Sequence, residues 1–119
     1  MSDPTPGKAT RYTYFMLVRT TPQWLCLSRD ARMRFADEVF KPVVSKFPAV
    51  SLRYFDAEAF HARCSDVLMW ETRDPAQYNF MVDALRDTPM FGVPYFEVVD
   101  IIGAVEDGDV PYHEHVLGR

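Results

Sequence analysis

A single α+β domain, ordered strand, helix, strand, strand, helix, strand, is the fold this sequence predicts. Three observations point to it. Four short segments are dense in aromatic and branched side chains, two longer ones carry apolar residues three and four apart, and turn residues separate them in that order. The 119 residues suit one domain, and a composition of 48% hydrophobic and 14% aromatic residues supplies a core.

Residues 1–10 are polar, with two prolines and a glycine, and read as a flexible lead. The first strand is Arg11 to Thr20. Tyr12, Tyr14, Met16 and Val18 occupy one parity and Phe15 and Leu17 the other, as in a central strand covered on both faces. Pro22 then opens a short helical turn. Ser28 caps a longer helix whose stripe is Phe35, Val39, Phe40, Val43, Val44 and Phe47. Pro42 lies inside that stripe and should kink or widen the helix. Pro48 ends it.

Ala49 to Asp56 is the second strand and Ser65 to Thr72 the third, joined by a connection longer than a tight hairpin. Asp74-Pro75 starts the second helix, with Tyr78, Met81, Val82 and Leu85 on one side. Tyr95 to Ala104 is the fourth strand. Residues 11–105 thus make the domain, and 106–119 read as a polar arm or tail. Handedness and packing favour both helices on one face of a four-stranded antiparallel sheet, a ferredoxin-like βαββαβ arrangement. The other face is too apolar to be left in water, so a homodimer joined through the sheet faces, with a cavity between each sheet and its partner, is expected.

The runs Phe15 to Pro22 with Trp24-Leu25, Tyr54 to Phe60, Ala62 to Val67, Trp70-Glu71-Thr72 and Tyr95 to Val99 together resemble the darcynin family of small bacterial proteins. The resemblance runs from about residue 12 to 105 and carries no assigned activity, so no catalytic residue transfers. It implies a fold similar to the dimeric α+β barrel proteins, a group that includes cofactor-free monooxygenases, isomerases, cyclases and haem-dependent enzymes.

The densest polar cluster is Arg53, Asp56, Glu58, His61, Arg63 and Asp66, which makes either a site beside the sheet or a solvated loop edge. Alternation sends Val50, Leu52 and Tyr54 to the helices and Ser51, Arg53 and Phe55 to the opposite face. The same reasoning assigns Val67, Met69, Phe96 and Val98 to the helices. Asp66, Leu68, Trp70, Tyr95, Glu97, Val99 and Ile101 then fall opposite, with Tyr12, Tyr14 and Met16 favoured there too. If the first strand is flipped, Phe15 and Leu17 replace the tyrosines. Arg53 with Asp66 or Glu97 would be the natural ion pair, either a clamp for an anionic oxygen or an interfacial bridge.

The expected function is a small-molecule enzyme of the barrel type that oxygenates, isomerises or cyclises a small aromatic or enolisable metabolite without a cofactor. Arg53, Trp70, Tyr14 and Tyr95 would bind substrate, while Asp66, Glu97 or His61 moves a proton. A non-catalytic ligand-binding or structural dimer is the alternative. His61 is the one histidine inside the domain; nothing else in the chain suggests that it ligates haem. His113-Glu114-His115, read as extended, places two imidazoles on one side but lacks a third metal ligand. Cys26 and Cys64 are too few for a disulfide scaffold.

A net charge of −4 argues against nucleic acid as a partner, and no apolar run is long enough for a membrane span. The N-terminus lacks the plan of a secretory signal, so a cytoplasmic location is expected. A glycine-rich phosphate loop, a G-x-S-x-G elbow and an H-E-x-x-H motif are all absent from the sequence.

Overall fold

The computed structural model describes residues 10–118, so the expected lead lies outside the described residues except for Thr10. Strand β1 (Tyr12–Thr20) is followed by the short α1 (Pro22–Leu25), then α2 (Arg29–Phe35), a π-helical turn (Ala36–Phe40) and α3 (Lys41–Ser45) in one continuous rod. Next come β2 (Val50–Asp56), β3 (Asp66–Thr72), α4 (Pro75–Arg86), α5 (Pro89–Gly92), β4 (Phe96–Val105) and α6 (Asp109–Leu117). All strand pairs are antiparallel in the order β2-β3-β1-β4. The expected ferredoxin-like sheet is therefore present.

Local chemistry starts each helix. Ser28 accepts the Ala31 N–H at 3.1 Å and Asp74 accepts that of Ala76 at 3.2 Å, relieving helix-end donors. Pro42 lacks an N–H, and its ring would strike the carbonyl four residues back. The rod answers by widening just before it, where the Lys41 N–H reaches the Ala36 carbonyl five residues away. Of the kink or widening that the sequence predicts, the widening is the one present.

The core lies between the helices and one sheet face. Met16, Val18, Leu68, Trp70, Met81 and Leu85 are completely buried there, with Phe35, Val39, Phe40 and Val43 packed on or beside them. The placement of β2 agrees with expectation, since Val50 is buried and Leu52 packs on the core. For β1 and β3 the expected faces are reversed. Tyr14, Met16, Leu68 and Trp70 look toward the helices, and Phe15, Leu17, Val67 and Met69 look away.

The reason is register. Directly paired residues share a face, and the ladders align Leu52 with Trp70 and Trp70 with Tyr14. With apolar side chains on both parities, alternation within one strand does not choose between faces. The fourth strand adds a bulge. Leu17 pairs with Asp100 but Val18 pairs with Val98, leaving Val99 unpaired and returning Ile101 to the helix side.

The C-terminal segment expected to be an arm or tail carries α6. His113 and His115 stand two residues apart on that helix, about 200° around it, so they do not share a side. No described helix is long and apolar enough to cross a membrane.

The two faces separate in stability. Leu68→Ala should lose about 2–5 kcal/mol in chemical denaturation, by transfer and cavity terms. Met69→Ala, one residue on, should lose under about 1 kcal/mol at concentrations where the chain is monomeric. A larger loss for Met69→Ala would overturn the face assignment.

Candidate functional site

The most apolar hollow among the described residues opens between the wide turn of the helical rod and the sheet. Its volume is about 510 Å³. Trp24, Phe35, Phe40, Leu52, Met90 and Phe96 form an almost wholly apolar wall, and Lys41, Ser45 and Tyr54 supply its polar edge. The π turn contributes Ala36 and Phe40 directly. A regular α-helix would turn those two residues differently relative to the sheet, so Pro42 shapes the cavity from outside it.

An aromatic cluster stiffens one end. The Trp24 ring lies 4.9 Å from Phe96 and 5.7 Å, edge-on, from Phe35, while Tyr95 meets Phe35 edge-on at 5.2 Å. Such packing contributes about 0.5–1.5 kcal/mol per pair beyond area burial. Arg32 stacks over Trp24 at 5.8 Å and donates to the Trp24 and Leu25 carbonyls, tying α1 to α2.

Tyr54 carries the polar chemistry. Its pKa is driven far above the ordinary 10 by desolvation first, then by the nearby Asp66 carboxylate, and last by Asp56. Asp66 is itself held: Ser65 Oγ donates to Oδ2 at 2.7 Å and accepts the Thr20 N–H at 2.9 Å. This relay fixes a carboxylate close to Tyr54, whose phenol belongs to the cavity wall while Asp66 does not.

Two further polar groups are buried without partners among the described residues, Trp70 Nε1 and the Tyr78 hydroxyl. The Tyr78 ring stacks on Tyr14 at 3.9 Å, and burial, with Tyr14 adding, pushes its pKa up to about 12. Tyr14 is likewise raised, by burial and then by Tyr12.

The residues expected to share one site divide among four places. Arg53 is on the open sheet face as expected, its guanidinium 5.2 Å from the Phe55 ring centre. Glu97 is there too, but it pairs with Arg19 at 2.9 Å. An Arg53–Glu97 pair is ruled out within one chain because β2 and β4 are opposite edges of the sheet. Asp66 is on the helix side beside Tyr54, which separates it from Arg53 as well. Trp70, Tyr14 and Tyr95 pack under the helices rather than on the open face, because the third-strand register and the Trp24–Phe35 cluster draw them there. Sequence reasoning did not single out Tyr54 as a candidate; its helix-facing parity and the acidic run at Asp56 were the available signals.

His61 lies exposed in the β2–β3 connection, where Nδ1 accepts the N–H groups of Arg63 and Cys64 at 3.1 and 3.2 Å. It organises the loop with that nitrogen. The helix-side cavity has no histidine in its wall, so the residues present do not fit a histidine-ligated haem. No described group of three His, Cys, Asp or Glu residues is placed to hold a metal ion.

Fold and cavity together define a ferredoxin-like α+β domain with an apolar hollow between its helices and its sheet. Among solved structures, this chain is similar to a chlorite dismutase from Candidatus Nitrospira defluvii in complex with imidazole. That match has a TM-score of 0.70 at 12% identity and covers 82% of this chain and 40% of the other. A cyanide complex of a variant of that enzyme gives a TM-score of 0.69 at 13% identity, with the same coverage. The chain spans about two fifths of the length of those proteins, and the likeness concerns the fold alone.

The chain belongs to the darcynin family: the family's sequence model, described as "Darcynin, domain of unknown function", matches residues 4–115. Darcynin of Chromobacterium violaceum is 57% identical over 68 residues, covering 57% of this chain and 86% of that protein. Darcynin 1 of Acinetobacter baumannii is 42% identical over 88 residues, covering 74% and 98%. A darcynin homolog of Streptomyces avermitilis is 41% identical over 106 residues, covering 88% and 87%.

The tyrosines give a pH signature. Phenols that ionise near 10 in the unfolded chain but higher in the folded one stabilise the fold below pH 10. That stabilisation should fall as pH rises from about 10 toward 12. Denaturation across this window should show the loss, and Tyr54→Phe and Tyr78→Phe should each flatten it. A wild-type slope equal to that of the double variant would contradict the site's electrostatics.

Proposed function

We propose that this darcynin-family domain binds a small aromatic or enolisable metabolite in the helix-side cavity and that Tyr54 and Asp66 handle its polar group. The observation that carries this is the 510 Å³ apolar cavity with the Tyr54 phenol in its wall and the Asp66 carboxylate next to that phenol. Convergence of few polar groups on an apolar hollow is what a small-molecule site needs.

Adjacency of Asp66 and Tyr54 favours an isomerase among the enzyme classes considered. Asp66 takes a proton from carbon beside a carbonyl, the neutral Tyr54 hydroxyl hydrogen-bonds the developing enolate oxygen, and Asp66 returns the proton to another carbon. Of the bases expected from sequence, Asp66 is the one adjoining Tyr54, and it is the one this reading uses. Glu97, with Arg19, and His61 belong elsewhere in the fold, as does Arg53.

Self-association accompanies this reading. Phe15, Leu17, Val67 and Met69 form a contiguous apolar centre on the sheet face away from the helices, and a second copy is proposed to cover it.

Titration with 1-naphthol, followed by tryptophan fluorescence, tests the cavity. Ala36→Phe should fill it and weaken binding about tenfold or more, and Tyr54→Phe should weaken it less. Equal affinity in wild type and Ala36→Phe would remove the cavity from the argument. For the sheet face, Leu17→Glu should convert a dimer to a folded monomer by light scattering. Persistence of the dimer would place the interface elsewhere.

A further inference from the structure

On the open face, the ladders align Arg53, Met69, Phe15 and Ile102 in one row and Phe55, Val67, Leu17 and Asp100 in the next. The four central side chains of this block are apolar. Its two charges stand at diagonal corners, Arg53 on the outer strand β2 and Asp100 on the outer strand β4. They are about three strand spacings, ~14 Å, apart and cannot meet within one chain. Arg53 makes its described contact with the Phe55 ring, and Asp100 accepts the N–H of its neighbour Ile101 at 2.8 Å. Neither belongs to an ion pair among those of the described residues, which are Arg11–Glu71, Arg19–Glu97 and Lys41–Asp37.

We infer that a second copy of this chain docks on this face about a two-fold axis running nearly along the strands, so that Arg53 pairs with Asp100 of the partner subunit. This rests on the self-association reading above and specifies its geometry. Rotation about an axis along the strands exchanges the left and right edges of the sheet, laying β2 over β4. Rotation about an axis across the strands lays β2 over β2 and leaves each charge far from its opposite. Only the first orientation brings the charges together, and two-fold symmetry then makes the pair twice.

The distances permit it. Facing sheets lie about 10 Å apart, and neighbouring rows are separated by about 7 Å along the strand. An extended arginine and an aspartate together span that diagonal. Met69, Phe15, Val67 and Leu17 fall at the centre, where apolar contact supplies affinity while the charges at the corners select the orientation.

Charge exchange tests the inference by sedimentation equilibrium of the full chain. Arg53→Asp and Asp100→Arg should each weaken the dimer about tenfold or more, by placing like charges together. The double variant should recover to within about threefold of wild type. Should either reversal fail to fold by circular dichroism, Arg53→Gln and Asp100→Asn replace it, each with an expected weakening of about threefold. A wild-type dimer indifferent to the single changes, or a double variant no better than either, overturns the axis while leaving self-association standing. A wild-type chain that stays monomeric overturns the self-association reading itself.

Discussion

A four-stranded sheet has two faces, and this chain supplies helices for one. Everything else depends on which side of the central strands those helices cover. Met16 and Val18 on β1 and Leu68 and Trp70 on β3 are fully removed from water beneath α2, α3 and α4. Burying side chains of this size stabilises by roughly 1.5–3 kcal/mol each, more than any surface pair in the molecule offers. Once they are committed, Phe15, Leu17, Val67 and Met69 have no choice but the opposite face. The apolar sheet surface is thus the other half of the decision that builds the core.

The helical rod links backbone chemistry to a candidate site. Pro42 removes a donor and crowds the preceding turn, and the π turn at Ala36–Phe40 absorbs both effects without breaking the rod. The wide turn sets Ala36 and Phe40 along the cavity that Leu52 and Tyr54 close from the sheet. A feature that costs helix regularity coincides with the hollow, while the relay from Thr20 through Ser65 to Asp66 fixes the carboxylate beside Tyr54. The open face and the cavity are consequently distinct surfaces of one sheet, with different chemistry.

The order of the four strands and the two longer helices, the caps at Ser28 and Asp74, the α4 stripe of Met81 and Leu85 and a distortion at Pro42 were legible in the residues, since each is written in local periodicity, capping and breaker residues; α5 and α6 were not. The grouping of Arg53, Asp66, Glu97, Tyr14, Trp70 and Tyr95 was not. It required the faces of β1 and β3, and both strands carry apolar side chains on both parities. The Val99 bulge, which returns Ile101 to the helix side and sends Asp100 to the open one, left no trace that alternation can detect.

By itself the sequence determined the βαββαβ topology, the need for a cover over an apolar sheet face and membership of a family whose runs it carries. Periodicity, capping and breaker residues encode these within a few positions of the chain. Tertiary structure alone decided the rest. The Leu52–Trp70–Tyr14 register assigned faces to the central strands, and packing of the π turn on the sheet created the cavity. The β2-β3-β1-β4 order set Arg53 and Asp100 at opposite corners. Each of these is a pairing between residues distant in sequence, and a strand with two apolar faces carries no internal record of which neighbour it will meet.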